Sequence, residues 1–309
     1  MPATLQRVLV TGATGLLGHA VRDRLAGEFQ VLSQGFRHGG PGVWLGDLTE
    51  PATIVRLAAE PWEAVVHCAA LRSPDYCAEH PAEADRLNTL AAVELAEVAR
   101  MKGARMIHVS TDYVFDGARP PYREDDPCRP VNTYGETKLG AEEGIAAVCP
   151  AAAIIRIGAL YGVPAPGIPS PMLEEAVTAV GMDAPVELDH RIRRYPLYVG
   201  DVAEAVHFLL RNPDLRGVSH VGAQQSATRY EWALKVGSLL GRSTAHLRPA
   251  LKMAPKSAIR PLDVRLATEH WRALGGPMPR DYDAALPFVL ERFITRSNCL
   301  SSSSISPCH

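Results

Sequence analysis

The chain has 309 residues, 47% of them hydrophobic and 21% charged, with a formal charge of −2; that is enough to bury the core of one large α/β domain, or of a domain with a smaller partner. The near-neutral balance excludes a nucleic-acid partner, and without a signal peptide or a transmembrane span a cytoplasmic protein with no membrane partner is expected. Six cysteines (Cys68, Cys77, Cys128, Cys149, Cys299 and Cys308) are scattered with no C-x-x-C pair, which predicts reduced thiols and no metal site.

In chain order, short β-branched runs alternate with helical stretches: RVLV at 7–10, LLGHAVRDRLAG at 16–27, FQVLS at 29–33, TEPATIVRLAAE at 49–60 and AVVHCAA at 64–70. The pattern continues through a helical stretch at 82–103, RMIHVS at 105–110, a helix around Tyr134, and AAIIRI at 152–157. Near-continuous apolar strands between helices predict β-α units stacked into a parallel sheet, with ligands at the carboxyl ends of its strands. The Pro/Gly-rich YGVPAPGIPSP at 161–171 leaves the sheet for a second lobe. The expected partition is a nucleotide-binding domain over 1–160 with a return near 195–212, a second lobe over 161–194 and 213–296, and a disordered Ser-rich tail over 297–309.

The segment VLVTGATGLLG at 8–18 runs a strand into Gly12, Gly15 and Gly18 and then into an apolar helix. Glycine lets backbone approach a pyrophosphate, and the helix start offers unpaired N–H groups; Thr14, Leu16 and Leu17 complete that lining. After the second strand comes Phe36-Arg37-His38 with no acid, and a guanidinium suits the 2′-phosphate of NADP(H). Asp47 and Leu48 of GDL follow the third strand, as an acceptor for an adenine amino group and a surface for its ring. Cys68, Ala69 and Ala70 end the fourth strand with small residues that leave room for a cofactor, with Arg72 just beyond. As plain structure these residues would be a tight turn, a solvent-facing arginine, a surface turn and a close-packed strand end.

Tyr134 and Lys138 stand four apart in NTYGETKLGAEE at 132–143, so a helix puts phenol and ammonium on one face. A cation beside a phenol draws its pKa toward working pH, as an acid/base requires. Thr111 ends the strand before it, in RMIHVSTDYVFDG at 105–117. Opposite Tyr134 its hydroxyl would complete a donor pair for one substrate oxygen, as reduction of a ketone requires; hydroxyls at strand ends also serve as caps.

GATGLLG, HCAA, STDYVFDG, PYREDD, YGETKLGAEE and RIGALYG occur in this order. Together they resemble the extended short-chain dehydrogenase/reductase superfamily, in its dTDP-4-dehydrorhamnose reductase branch. The resemblance implies a Rossmann-type, doubly wound α/β domain with a smaller C-terminal substrate lobe, NADP(H), and a nucleotide-sugar substrate. It makes Thr111 the hydroxyl on the substrate carbonyl, Tyr134 the proton donor and Lys138 the cation on the nicotinamide ribose, with Leu160 lining the nicotinamide pocket. The same branch includes the regulatory beta subunit of methionine adenosyltransferase, which GFRHG, LRSPDYCAEHPAEADRLN and RRYPLYVGDVA resemble. That alternative implies a non-catalytic NADP-binding protein partnered with the synthetase's catalytic subunit. An epimerase or dehydratase is a third reading, weakened because Ser110-Thr111-Asp112 supplies one acid where a dehydratase wants a pair.

Overall fold

The computed structural model describes residues 6–163, 170–252 and 258–302, with side chains to 295. Its first half comprises β1 (Arg7–Thr11), α1 (Leu16–Leu25), β2 (Gln30–Gly35), β3 (Val43–Leu45), α2 (Pro51–Ala59), β4 (Ala64–His67), α3 (Pro74–Glu79), α4 (Pro81–Asp85), α5 (Ala91–Lys102), β5 (Arg105–Thr111), α6 (Thr133–Val148) and β6 (Ala153–Ile157). There follow β7 (Leu160–Tyr161), α7 (Pro171–Gly181), β8 (Val186–Asp189), β9 (Leu197–Tyr198), α8 (Val199–Arg211), β10 (Gly217–Val221), α9 (Arg229–Leu239), β11 (Leu247–Ala250), α10 (Glu269–Ala273) and α11 (Tyr282–Ser302).

Seven strands form one parallel sheet in the order β10-β6-β5-β4-β1-β2-β3. Alternation along each strand decides which face each side chain joins. Val8 and Val10 of β1, with Val66, Ile107 and Ile155, pack against Val21 of α1 and Val206 of α8. Leu9, Val65, Met106 and Ile154 face the other way, onto Leu57 of α2, Leu95 of α5 and Ile145 of α6. Both faces are thus covered, as a parallel sheet needs, and each such buried side chain contributes about 1.5–3 kcal/mol. The order runs outward from β1 in one direction and from β4 in the other. That reversal opens a crevice between their carboxyl ends, where sheets of this kind take ligands. Register brings Thr11 beside His67, and His67 beside His108.

The doubly wound sheet matches expectation, and α8 packs on α1. The partition after 213 needs correction. β10 extends the sheet edge, pairing Val218 with Ile154, and Trp271 of α10 is buried in the same core. The polar pair Ser219-His220 hid that strand, yet both residues are buried. The second lobe has its own core, built on Leu173 of α7, Trp232 and Val236 of α9 and Leu286 and Val289 of α11. The tail also differs: the α11 backbone continues through 297–302, because extending an existing helix adds a hydrogen bond per residue without a new nucleus. Residues 303–309 of the tail, and 164–169 of the Pro/Gly-rich stretch, lie outside the described residues. No helix among the described residues is long and apolar enough to cross a membrane.

Candidate functional site

β1 delivers Gly12 to the crevice with φ +62°, and a Cβ there would lie 2.7 Å from the Ala69 amide nitrogen. A Cβ on Gly18 would fall 2.2 Å from the Gly12 carbonyl oxygen, so the turn can be this tight only with glycine at both positions. Gly15 is the N-cap of α1, and no side chain caps that helix. Its first-turn N–H groups, those of Leu16, Leu17 and Gly18, therefore suit an anion, while the Leu17 side chain goes into the core. Gln34, which carries no motif signal, ties the turn to the ends of β2 and β3. Its Oε1 accepts from Gly12 N at 3.2 Å, and its Nε2 donates to the carbonyls of Gly35 and Gly46.

Phe36, Arg37 and His38 follow β2 in exposed positions, with the Arg37 guanidinium 5.1 Å from the Phe36 ring centroid. Thr14 backs this loop, its Cγ2 2.9 Å from where a Cβ on Gly35 would sit. Asp47 turns inward on its own loop, Oδ1 accepting from the amide and the hydroxyl of Thr49 at 2.9 and 2.7 Å. Leu48 is 3% exposed and packs with Leu9, Ile54 and Leu57. Expected as a surface for adenine, it is instead a core residue, because its side chain is already enclosed between the sheet and α2. Cys68, Ala69 and Ala70 sit half-buried beyond β4, Arg72 is exposed, and Leu160 is half-buried at the start of β7.

The polar centre forms where β5 ends and α6 begins. Asn132 caps α6, its Oδ1 accepting from Gly135 N at 3.0 Å, which sets Tyr134 in the first turn. Burial pushes Tyr134 above its ordinary range, with Thr111 opposing. Thr111 Oγ1 also lies 3.1 Å from Asp112 Oδ1. One turn along α6, Lys138 is 2% exposed, and its ammonium donates to the Val109 carbonyl at 2.8 Å and bonds His108 Nε2 at 2.9 Å. Burial pushes Lys138 down to about 8, with Glu142 and Cys68 opposing. The expected draw of the ammonium on the phenol is therefore corrected. Lys138 is bonded to β5, and burial governs Tyr134.

Asp112 is 2% exposed with no partner for Oδ2. Burial pushes it up to about 7, against Arg194 and the Thr111 hydroxyl. Ser110 points elsewhere, into a buried pair of Glu142 and Arg156 whose shortest contact is 2.7 Å.

A family model described as the RmlD substrate binding domain matches residues 6–295. The chain belongs to this family. It thereby falls in the extended short-chain dehydrogenase/reductase branch that its motifs resemble. Methionine adenosyltransferase 2 subunit beta of Bos taurus is 34% identical over 282 residues, covering 87% of this chain and 83% of its own. A probable dTDP-4,6-dihydroxy-2-methyloxan-3-one 4-ketoreductase of Streptomyces antibioticus is 34% identical over 285 residues, covering 91% and 93%. The dTDP-4-dehydrorhamnose reductase of Bacillus anthracis str. Ames, solved in complex with NADP, superposes with a TM-score of 0.82 at 23% identity, covering 95% of this chain and 100% of that one. Likeness at that identity speaks for the fold.

In this RmlD-family chain the second lobe closes a cleft of about 220 Å³ against the sheet, with Tyr113 and Ala159 on one side and Met172, Arg229 and Trp232 on the other. Arg194 spans it, donating to the Tyr113 hydroxyl at 2.9 Å and to the Pro261 carbonyl at 3.1 Å. The Tyr113 and Tyr134 rings meet edge to face at 5.8 Å, so one wall of the cleft rests directly against the polar centre. Asn88, the last residue of LRSPDYCAEHPAEADRLN and given no role there, is fully buried in a π-helical turn over Arg86–Leu90. It bonds Leu71 N and O at 2.8 and 3.0 Å and Thr137 Oγ1 at 3.1 Å, pinning the loop after β4 to α6. A lone asparagine in an apolar helical run was the available signal, as such turns cluster at functional sites.

Proposed function

We propose that the chain reduces the 4-keto group of a nucleotide-activated 6-deoxysugar with NADPH. The observation that carries this is the placement of Thr111 at the end of β5 and Tyr134 in the first turn of α6, at the sheet's carboxyl edge, with Tyr134 against Tyr113 of the cleft wall. The glycine turn and uncapped α1 suit a pyrophosphate, Arg37 suits a 2′-phosphate, and Lys138 suits the ribose. NADPH, when bound, supplies the hydride. As negative charge grows on the substrate oxygen, Thr111 donates a hydrogen bond to it and Tyr134 gives up its proton. A phenol held neutral by burial is a proton donor in its resting state.

The ketoreductase relative supports this reading over nearly its whole length. The second reading, an NADP-binding regulatory subunit of methionine adenosyltransferase, draws on the subunit beta relatives at equal identity. The test is to incubate the protein with NADPH and dTDP-4-dehydrorhamnose while following cofactor absorbance, and separately to co-elute it with the same organism's methionine adenosyltransferase. Turnover without a complex supports the reductase; a complex that alters synthetase kinetics, with no NADPH oxidation across a panel of nucleotide keto-sugars, overturns it.

A further inference from the structure

We propose that His108 is the positioning residue for Lys138, accepting a hydrogen bond from the ammonium at Nε2 so that, with the Val109 carbonyl, it leaves the third N–H for the cofactor ribose. The inference rests on the cofactor half of the reading above.

An ammonium is donor-only, with three N–H groups. Two are engaged on β5, by Val109 O at 2.8 Å and His108 Nε2 at 2.9 Å. Since Nε2 accepts a hydrogen bond from the ammonium, the neutral imidazole carries its own hydrogen on Nδ1. Burial, then Lys138 and His67, hold His108 well below its ordinary range, so the ring stays neutral. The His67 ring stacks on it at 5.3 Å and 21°, and His67 is fixed in turn by Thr11 Oγ1 at 2.7 Å from Nδ1. His108 therefore cannot swing away without unstacking a ring anchored on β1. The titratable groups facing Lys138 are His108 from β5, His67 and Cys68 from β4 and its end, and Glu142 from α6 itself. Of these, only His108 forms a direct bond to the ammonium.

The test compares wild type with His108→Met, which keeps the volume and removes the acceptor, and His108→Gln, whose amide oxygen can stand near the Nε2 position. NADPH dissociation constants are measured by fluorescence from pH 6 to 10. A hydrogen bond to a charged group corresponds to about one to two pKa units. The alkaline loss of affinity should therefore begin about one to two pH units lower in His108→Met, and stay near its wild-type position in His108→Gln. Coincident curves for folded wild type and His108→Met overturn the proposal, as does a glutamine variant that behaves like methionine. Nitrogen-15 histidine spectra of the wild-type protein near pH 7 judge it without a variant: an Nδ1–H tautomer for His108 supports it and an Nε2–H tautomer overturns it. Should wild type bind no NADPH, the cofactor reading falls while the tautomer still decides the positioning role.

Discussion

At the scale of single residues, the same fold gives neighbouring groups opposite tendencies. Arg37 stands exposed beyond β2, where an acid would select NAD. Arg37→Ala is expected to weaken NADPH binding by roughly ten- to a hundred-fold and leave NADH nearly unchanged; titration with both cofactors checks this, and equal losses would remove the assignment. Tyr134→Phe deletes the proton and little else. Turnover should fall by about 10²–10⁴-fold with NADPH affinity close to normal, a split that steady-state kinetics and binding separate. Asp112 makes a stability prediction. Its folded pKa of about 7 lies above its unfolded value, so the folded state holds the extra proton from about pH 4 to 7 and stability falls as pH rises through that window. Asp112→Asn removes the dependence. Relative to wild type it should gain stability between pH 4 and pH 8, by on the order of a few kcal/mol, and urea unfolding at the two pH values measures the gain.

Among the elements, α6 carries the most weight for the site. Its N-cap does two tasks, since Asn132 accepts from Gly135 N and donates through Nδ2 to the Ile259 carbonyl at 2.8 Å. Asn132→Ala should cost about 1–2 kcal/mol by denaturant unfolding. Asn132→Asp keeps the cap acceptor and loses only the bond to Ile259, so it should cost less; equal costs would show that the cap is not the source. The strand before α6 is equally committed. Ser110, His108 and the Val109 carbonyl all contact α6 side chains, so β5 and α6 act as one unit in holding Tyr134 and Lys138. No periodicity announces that coupling, because polar bonds between elements leave no trace in hydrophobic spacing.

For the whole molecule, the question is how the loop beyond β4 stays against the second lobe. Arg260 forms a two-pronged pair with Asp75 at 2.7 and 2.6 Å, and Asp75 also accepts from Ala258 N at 3.1 Å. The same stretch takes the bonds from Asn132 and Arg194, so 258–261 fastens α3, α6 and the cleft together. Arg260→Ala should raise hydrogen-exchange rates in 71–81 and 258–263 by about ten-fold or more while the sheet core keeps its protection. Uniform loss of protection across the sheet would instead show that the pair supports the entire fold.

Alternating apolar runs and three glycines determined the parallel sheet and its ligand-binding edge without help from contacts, because side-chain period and backbone freedom are local properties. The Tyr134–Lys138 spacing was legible for the same reason: one helix puts both on one face. Where Lys138 sends its charge was not legible, since His108 lies 30 positions earlier and meets it only through strand register. Leu48 turned inward, β10 joined the sheet, and Asn88 and Gln34 became the site's fasteners through burial and partners distant in sequence. Local chemistry pointed to the candidate groups, and tertiary packing decided their neighbours, their desolvation and thus their acidity.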